Sequence, residues 1–192
     1  DIEVAHTGFI EQLAPFAAEK LFQLIEEVGA GKDQVQVAFA GGFAMWSVAK
    51  ELAELFRRRE AESLPGAPKK IVFRALVSAA EADKFFYQPS SFFSYFTRED
   101  GFPIETSFIC INGPLFVPSE DFEERRNEDC CRQACQDLDQ VDIVVTSAGS
   151  WADPDNLYHK YLLEHSPESA EALKAGGIVG DMMLLPIGKD KP

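Results

Sequence analysis

The sequence lacks any apolar run near the 18 or so residues that would span a bilayer, and it opens with no basic, apolar leader. Both absences argue against membrane insertion and lead us to expect a cytoplasmic protein. A basic excess is missing too. Eighteen basic residues face 32 acidic ones, for a formal net charge of −14. The one basic cluster, Arg57-Arg58-Arg59, is followed at once by Glu60 and Glu62. Such a surface repels a phosphate backbone, so direct nucleic-acid binding by this chain is not expected. A small anionic ligand remains compatible, because a local nest of backbone N–H groups acts at shorter range than the global charge.

Cysteine and histidine are scarce. Cys110, Cys130, Cys131 and Cys135 include an adjacent pair and a pair four apart, neither of which makes a disulfide framework. We read them as ordinary thiols of a reducing compartment. Asp153, Asp155, His159 and His165 are the nearest thing to a metal set, but their spacing matches no ligand motif, and a solvated polar loop is the simpler reading. No metal and no cofactor are expected. Repeats and low-complexity tracts are absent as well.

What is present is an ordinary globular composition, 46% hydrophobic and 26% charged, in 192 residues. A chain of this length can form one domain that buries about 70% of the surface its unfolded form exposes. The most telling segment is Val35-Gln36-Val37-Ala38-Phe39-Ala40, a short apolar strand running into Gly41-Gly42 and then into a helix from Phe43. Two glycines allow a tight turn, and the helix start offers unpaired N–H groups and the positive end of its dipole. Such a corner holds a phosphate or carboxylate in some folds and only turns the chain in others.

The same pattern continues along the chain. Residues 8–28 read as a helix with Ile10, Leu13, Phe16/Ala17, Leu21, Leu24/Ile25 and Val28 at helical spacing, stopped by Gly29. A second helix covers 43–59, with Val48, Leu52 and Leu55 on one face, and a loop with Pro65, Gly66 and Pro68 covers 60–70. Strands are expected at 71–77, 105–111 and 141–146, and one long helix at 120–138. A short helix from Ser166 through Lys174 has Pro167 in its first turn and Gly176-Gly177 behind it, and 178–187 reads as a strand or buried turn. Alternating helices and short apolar strands imply an α/β fold: a doubly wound, mostly parallel sheet with helices on both faces. Ligands of such sheets sit beyond the carboxyl ends of the strands. Here those ends are Ala40-Gly41-Gly42, Val77-Ser78-Ala79-Ala80, Asn112-Gly113-Pro114 and Thr146-Ser147-Ala148-Gly149-Ser150.

The order of segments resembles the effector-binding (sugar-binding) domain of SorC/DeoR-type bacterial transcriptional regulators. Five pieces carry the resemblance. Val37-Ala38-Phe39-Ala40-Gly41-Gly42 is similar to that family's first strand and glycine turn. Ala75-Leu76-Val77-Ser78-Ala79 is similar to its Leu-Val-Gly-Gly strand end. Gly113 to Ser119 resembles its Ala-Pro-x-x-x-Pro-Ser stretch, and Val141 to Gly149 its strand ending in Gly-Ile-Gly. Ala175-Gly176-Gly177-Ile178-Val179-Gly180-Asp181 resembles its Gly-Ala-Val-Gly-Asp signature. The resemblance implies a Rossmann-like fold shared with ribose-phosphate isomerase, glucosamine-phosphate deaminase and CoA transferases. It implies a single effector-binding domain over 1–192. It also implies a non-catalytic domain that binds a small sugar or sugar phosphate, assembles as a homodimer or tetramer, and acts on DNA through an attached domain. The sequence begins with Asp1 and includes neither a helix-turn-helix nor the family's later strand, lysine-bearing turn and final helix, so we expect a piece of a longer regulator. Three departures stand out. Phe43 and Ala44 replace the Thr or Ser residues that usually follow the glycine turn, and Ser78-Ala79 and Ser147-Ala148 stand where glycines are common.

These readings give the candidate ligand residues. Gly41, Gly42 and the backbone of Phe43, Ala44 and Met45 are the anion-site candidates, against a purely structural turn. Ser78, Ala79, Gly149 and Ser150 end strands and are candidates to line a pocket. Asp181, in an apolar stretch, either accepts hydrogen bonds from sugar hydroxyls or is satisfied by nearby backbone N–H groups. Trp151 either covers a sugar ring or is simply packed. The aromatic runs Phe85-Phe86-Tyr87 and Phe92-Phe93-Ser94-Tyr95-Phe96 read as core or subunit contact, with a pocket lid as the alternative. An enzyme on the same fold, of the isomerase or deaminase kind, needs a carboxylate cluster that does not follow the fourth strand. CoA-transferase chemistry needs a glutamate nucleophile, for which Glu81 has nothing in its surroundings to recommend it. A domain that kept the fold for assembly after losing its phosphate site is the remaining alternative.

Overall fold

A computed structural model of the chain describes residues 10–60, 68–78, 88–99, 101–114 and 116–188. They fall into two compact units, residues 1–145 and 146–192.

The first unit opens with α1 (Ile10–Gly29). The helical spacing is as expected, but the buried stripe is rotated. Ala14, Ala18, Leu21, Phe22 and Ile25 are buried, whereas Phe16 and Leu24 are exposed. Small alanines let α1 approach α2 (Phe43–Glu60) closely, so larger side chains one step round the helix are left in solvent. Between these helices runs β1 (Gln34–Phe39), followed later by β2 (Lys70–Ala75), β3 (Glu105–Ile109) and β4 (Ile143–Val145). All pairings are parallel, in the order β3-β2-β1-β4. The chain steps outward from β1 to β2 to β3, then returns past β1 to β4. Right-handed crossovers then require the connection before β4 to lie on the opposite face from α2. That is the doubly wound plan expected from the alternation of elements.

One face of this sheet is aromatic. Val37 pairs with Phe73, and Phe73 with Phe108, in register. Against them pack α3 (Pro89–Phe92) and the 3-10 turn Phe93–Phe96. Phe73 stacks on Phe96 at 4.0 Å, and Phe39 meets Phe92 edge-on at 5.8 Å. Phe92, Phe93 and Phe96 are thus core, as the first expectation for this aromatic run had it. Phe85 to Tyr87 lie outside the described residues. Burial of each such ring stabilises by about 1.5–3 kcal/mol.

The other face is polar at its centre. Arg74, next to Phe73 and therefore on the opposite side of the strand, is only 2% exposed. Its guanidinium donates to the carbonyls of Ala134 and Gln136 at 3.1 and 2.8 Å and to Gln36 Oε1 at 3.2 Å. Those carbonyls end α5 (Asp129–Cys135), where a cation also complements the helix dipole.

The long helix expected at 120–138 is instead two, α4 (Phe122–Asn127) and α5, broken at Glu128, whose ψ of 149° is extended. Phe122 is exposed and, among the described residues of this segment, Ala134 is the buried one. No apolar stripe is present to hold a long helix on the sheet. The Asn127 carbonyl accepts from the Arg132 guanidinium at 2.7 and 3.0 Å instead of continuing the helix.

The second unit contains β5 (Ala148–Ser150), α6 (Leu157–His165), α7 (Pro167–Ala175), β6 (Ile178–Met182) and β7 (Leu185–Gly188). Its three strands are antiparallel in the order β5-β6-β7. Two expectations change here. Ser147 to Ser150 do not end the fourth parallel strand; Ala148–Ser150 form a strand of their own, paired with β6. The segment 178–187 is a complete hairpin, turned by Met183 and Leu184 at φ 54° and 64°. The α6 helix was not expected. Trp151, Leu162 and Ala170 make a small core, with Tyr158, Leu173 and Ile178 against it.

Candidate functional site

In a sheet of order 3-2-1-4, the crevice opens where the winding reverses, between the carboxyl ends of β1 and β4. The Ala40 N–H donates to the Val145 carbonyl at 2.9 Å, which holds these two ends together. On the other side, the Leu76 N–H donates to the Phe39 carbonyl at 2.9 Å. Gly41 and Gly42 follow. Gly42 has φ +111°, a conformation other residues adopt only under strain, and open space lies where a Cβ would project. Trp46 N–H bonds the Gly42 carbonyl at 3.0 Å, so the N–H groups of Phe43, Ala44 and Met45 precede the first helical bond. Met45 is 4% exposed, so its side chain belongs to the core. Phe43 is 39% exposed and stacks on Trp46, with centroids 5.6 Å apart at 25°. The nearest hydroxyl on α2, that of Ser47, donates to the Phe43 carbonyl at 3.0 Å. Ser78, three residues past the end of β2, is buried, and its Oγ has no hydrogen-bond partner. Ala79 and Glu81 lie outside the described residues.

The remaining candidates sit in the second unit. Gly149 pairs with Asp181, and Ser150 with Gly180. Asp181 is 7% exposed, and its Oδ1 accepts from Asn156 Nδ2 at 2.8 Å. Asn156 Oδ1 in turn accepts from the His159 N–H at 2.7 Å, capping α6. A Cβ on Gly149 would meet Asn156 Nδ2 at 2.4 Å, and one on Gly180 would meet the Gly149 carbonyl oxygen at 2.2 Å. Glycine at both positions lets strand, asparagine and aspartate close on one another. Burial, and then the Asp181 charge, push the Tyr158 hydroxyl above its usual pKa. Ser150 Oγ accepts from Ala152 N–H at 3.2 Å and so shapes the turn.

The polar residues once weighed as metal ligands are otherwise engaged. Asp153 accepts from the Asp155 N–H, Asp155 pairs with Lys160, His159 stacks on Trp151 at 4.8 Å, and His165 lies against Tyr161. Among the described residues no three His, Cys, Asp or Glu side chains converge as a metal site. Cys110, Cys131 and Cys135 form no disulfide. Burial pushes the Cys110 thiol up in pKa, away from a reactive thiolate. No described helix is long and apolar enough to cross a membrane. A groove of about 190 Å³ lies between α1 and α2, lined by Glu19, Glu51 and Arg58 among others, on the helical side rather than at the strand ends.

Sequence reasoning missed three residues of consequence. Arg74 was visible as a lone charge inside the apolar run Ile71 to Val77. Asn156 stands before Leu157 as an N-cap, a signal hidden because α6 was not recognised. Trp46 was legible only as a helix residue.

The strand order and the glycine turn after β1 define a doubly wound α/β fold. Neither a protein-family model nor a curated protein matches the sequence. Solved structures do match the fold. The probable sor operon regulator from Shigella flexneri superposes with a TM-score of 0.62 at 13% identity, over 98% of this chain and 67% of that one. The full-length sorbitol operon regulator SorC from Klebsiella pneumoniae gives 0.60 at 12% identity, over 95% and 53%. A domain of a possible sugar-binding transcriptional regulator from Arthrobacter aurescens gives 0.55 at 16%, over 96% and 64%. The chain therefore has the fold of the SorC-type regulators anticipated from its motifs, and spans roughly half to two thirds of their length.

Proposed function

We propose that this chain is the ligand-sensing domain of a bacterial transcriptional regulator and carries out no catalysis. It binds a small sugar or sugar phosphate at the carboxyl edge of the parallel sheet. Binding shifts an equilibrium between two arrangements of a dimer or tetramer, and so biases an attached DNA-binding domain. The observation that carries this reading is the glycine turn, with Gly42 at φ +111°, leading from β1 into the start of α2 where the order of the parallel sheet reverses. Gly41, Gly42 and the backbone of Phe43 to Met45 hold the ligand in this reading, together with Ser78, three residues past β2, and with Ala79 as read from the sequence. Gly149, Ser150 and Asp181 lie in the second unit and form a separate candidate set, in which Asp181 Oδ1 is given to Asn156. The sugar-binding regulators that share the fold favour this reading over an isomerase or deaminase, and the formal charge of −14 favours contact with DNA through another domain.

Thermal unfolding against a panel of sugar phosphates, each with its free sugar, tests the proposal. A ligand at 100 times its dissociation constant stabilises by about 2.7 kcal/mol, a plain rise in midpoint. No shift with any member would overturn the sugar-sensing reading and favour a domain used for assembly.

A further inference from the structure

The outer side of the α1–α2 pair carries a pattern that matches itself when a second copy is laid on it end for end. On α1, Phe16 and Leu24 are 55% and 36% exposed, and the exposed Lys20 stands midway between them. Spacings of four residues set all three on one side of the helix. That side is opposite the buried Ala14, Ala18, Leu21, Phe22 and Ile25. A single exposed apolar residue is ordinary on a protein surface. A phenylalanine and a leucine at equal distances either side of one central residue form a stripe that pairs with its own reverse.

On α2 the same plan is written in charge. Glu51, Leu55 and Arg58, spaced i, i+4, i+7, line the groove between the helices together with Pro15, Ala18 and Glu19. Neighbouring charges are spent within the chain, Glu54 on Arg57 and Glu19 on Arg59. Among the described residues the Glu51 carboxylate meets no cation, and Arg58 gives only its Nε, to the Glu54 carbonyl at 3.3 Å. An antiparallel copy with Leu55 near the axis sets Glu51 against the partner's Arg58, and Arg58 against the partner's Glu51. The same arrangement sets Phe16 against the partner's Leu24. Both patterns are centred where α1 and α2 meet, since Phe22 packs on Phe56 at 4.7 Å and Arg59 reaches Glu19.

The area is sufficient. Helices of 20 and 18 residues are about 30 and 27 Å long and pack about 9 Å apart. Such a layer can supply the roughly 1,000 Å² in total that a specific interface needs. The formal charge of −14 opposes association at long range, so pairing depends on complementarity at contact.

We propose that the outer side of α1 and α2 is an isologous interface whose partner is a second, antiparallel copy of this chain. Phe16 and Leu24 make its apolar contacts, and Glu51 and Arg58 make its two symmetric ion pairs. Lys20 is its weak point, because it faces its own copy across the axis. This rests on the assembly in the reading above and is independent of the ligand contacts.

The test is sedimentation of the whole chain from micromolar to millimolar concentration, with circular dichroism to check that each variant folds. We expect reversible self-association. Phe16→Ala should weaken it by roughly tenfold or more. Glu51→Arg and Arg58→Glu should each weaken it about tenfold, and the doubly reversed chain should recover most of that loss. Lys20→Ala should tighten it, since a like-charge pair is removed. A chain monomeric at every concentration would overturn the interface, while a ligand-induced rise in unfolding midpoint would leave the sensing reading standing. Without that rise both would fall. Association indifferent to Phe16→Ala and to both single reversals would overturn the interface and place the contact on another face. Single reversals that the double reversal does not rescue would overturn it too.

Discussion

The two compact units solve the problem of a stable interior in opposite ways. Residues 1–145 bury a large aromatic face, with Phe22, Phe39, Phe56, Phe73, Phe92 and Phe96 each less than 2% exposed. Among the described residues of 146–192, the buried apolar side chains are Trp151, Leu162 and Ala170, with a hydrogen-bonded aspartate and asparagine also buried. The first kind of interior tolerates exchange of one apolar shape for another, because the driving force is area removed from water. The second depends on geometry at single atoms. A missing partner leaves a buried polar group unsatisfied, and an added methyl group has nowhere to go.

Substitutions sharpen this contrast. The largest effect expected is from Phe73→Ala, in contact with Phe39, Phe93, Phe96, Phe102 and Phe108. It should cost about 3–5 kcal/mol in denaturant unfolding, whereas Phe73→Leu should cost much less. Gly180→Ala should cost roughly 1–3 kcal/mol or more, because its Cβ meets backbone rather than a movable side chain. Hydrogen exchange should show the loss concentrated in amides 148–150 and 178–182. If Phe73→Leu proved as damaging as Gly180→Ala, the contrast between area and geometry would fail. Asn156→Ala should cost about 1–3 kcal/mol, since it removes the α6 cap and strands the Asp181 carboxyl together. Asn156→Asp should not restore stability, because it sets two carboxylates against each other.

The smallest effect comes from the edge of the first unit. Burial alone would raise the Asp142 pKa, but the Lys32 ammonium and the Gln36 N–H outweigh it and hold the carboxyl below its usual value. A depressed native pKa stabilises fully above the ordinary carboxylate range and is lost as pH falls through the native value. Solvent screens this partly exposed pair, so the loss should be about 1 kcal/mol or less. Unfolding midpoints between pH 6 and pH 2 for Asp142→Asn should show a correspondingly shallower fall than those of the unaltered chain.

Much of the scaffold was readable in advance. The runs read as strands at 35–40, 71–77, 105–111 and 141–146 overlap β1, β2, β3 and β4, the parallel strands. The turn at Gly41-Gly42 and the start of α2 at Phe43 also fell where expected. The site was readable as a place rather than as chemistry. Residues 120–138 carried enough helix formers to suggest one helix, but nothing in that count measured whether a stripe would find a surface to pack on. Leu157 to His165 lacked a clean apolar period, and its helix is recognised mainly through the Asn156 cap.

The sequence by itself determined the alternation of strands and helices, the glycine turn and the acidic surface. Each depends on neighbours a few residues apart or on a sum over the chain. Only the tertiary structure decided that Asn156 meets Asp181 across 25 residues, and that Arg74 holds the end of a helix 60 residues on. It alone set Phe39 against Ala75, so that Gly42 and Ser78 each follow the same rung by three residues. Those contacts arise when distant segments close together, and their geometry follows from strand register and crossover hand rather than from any local pattern.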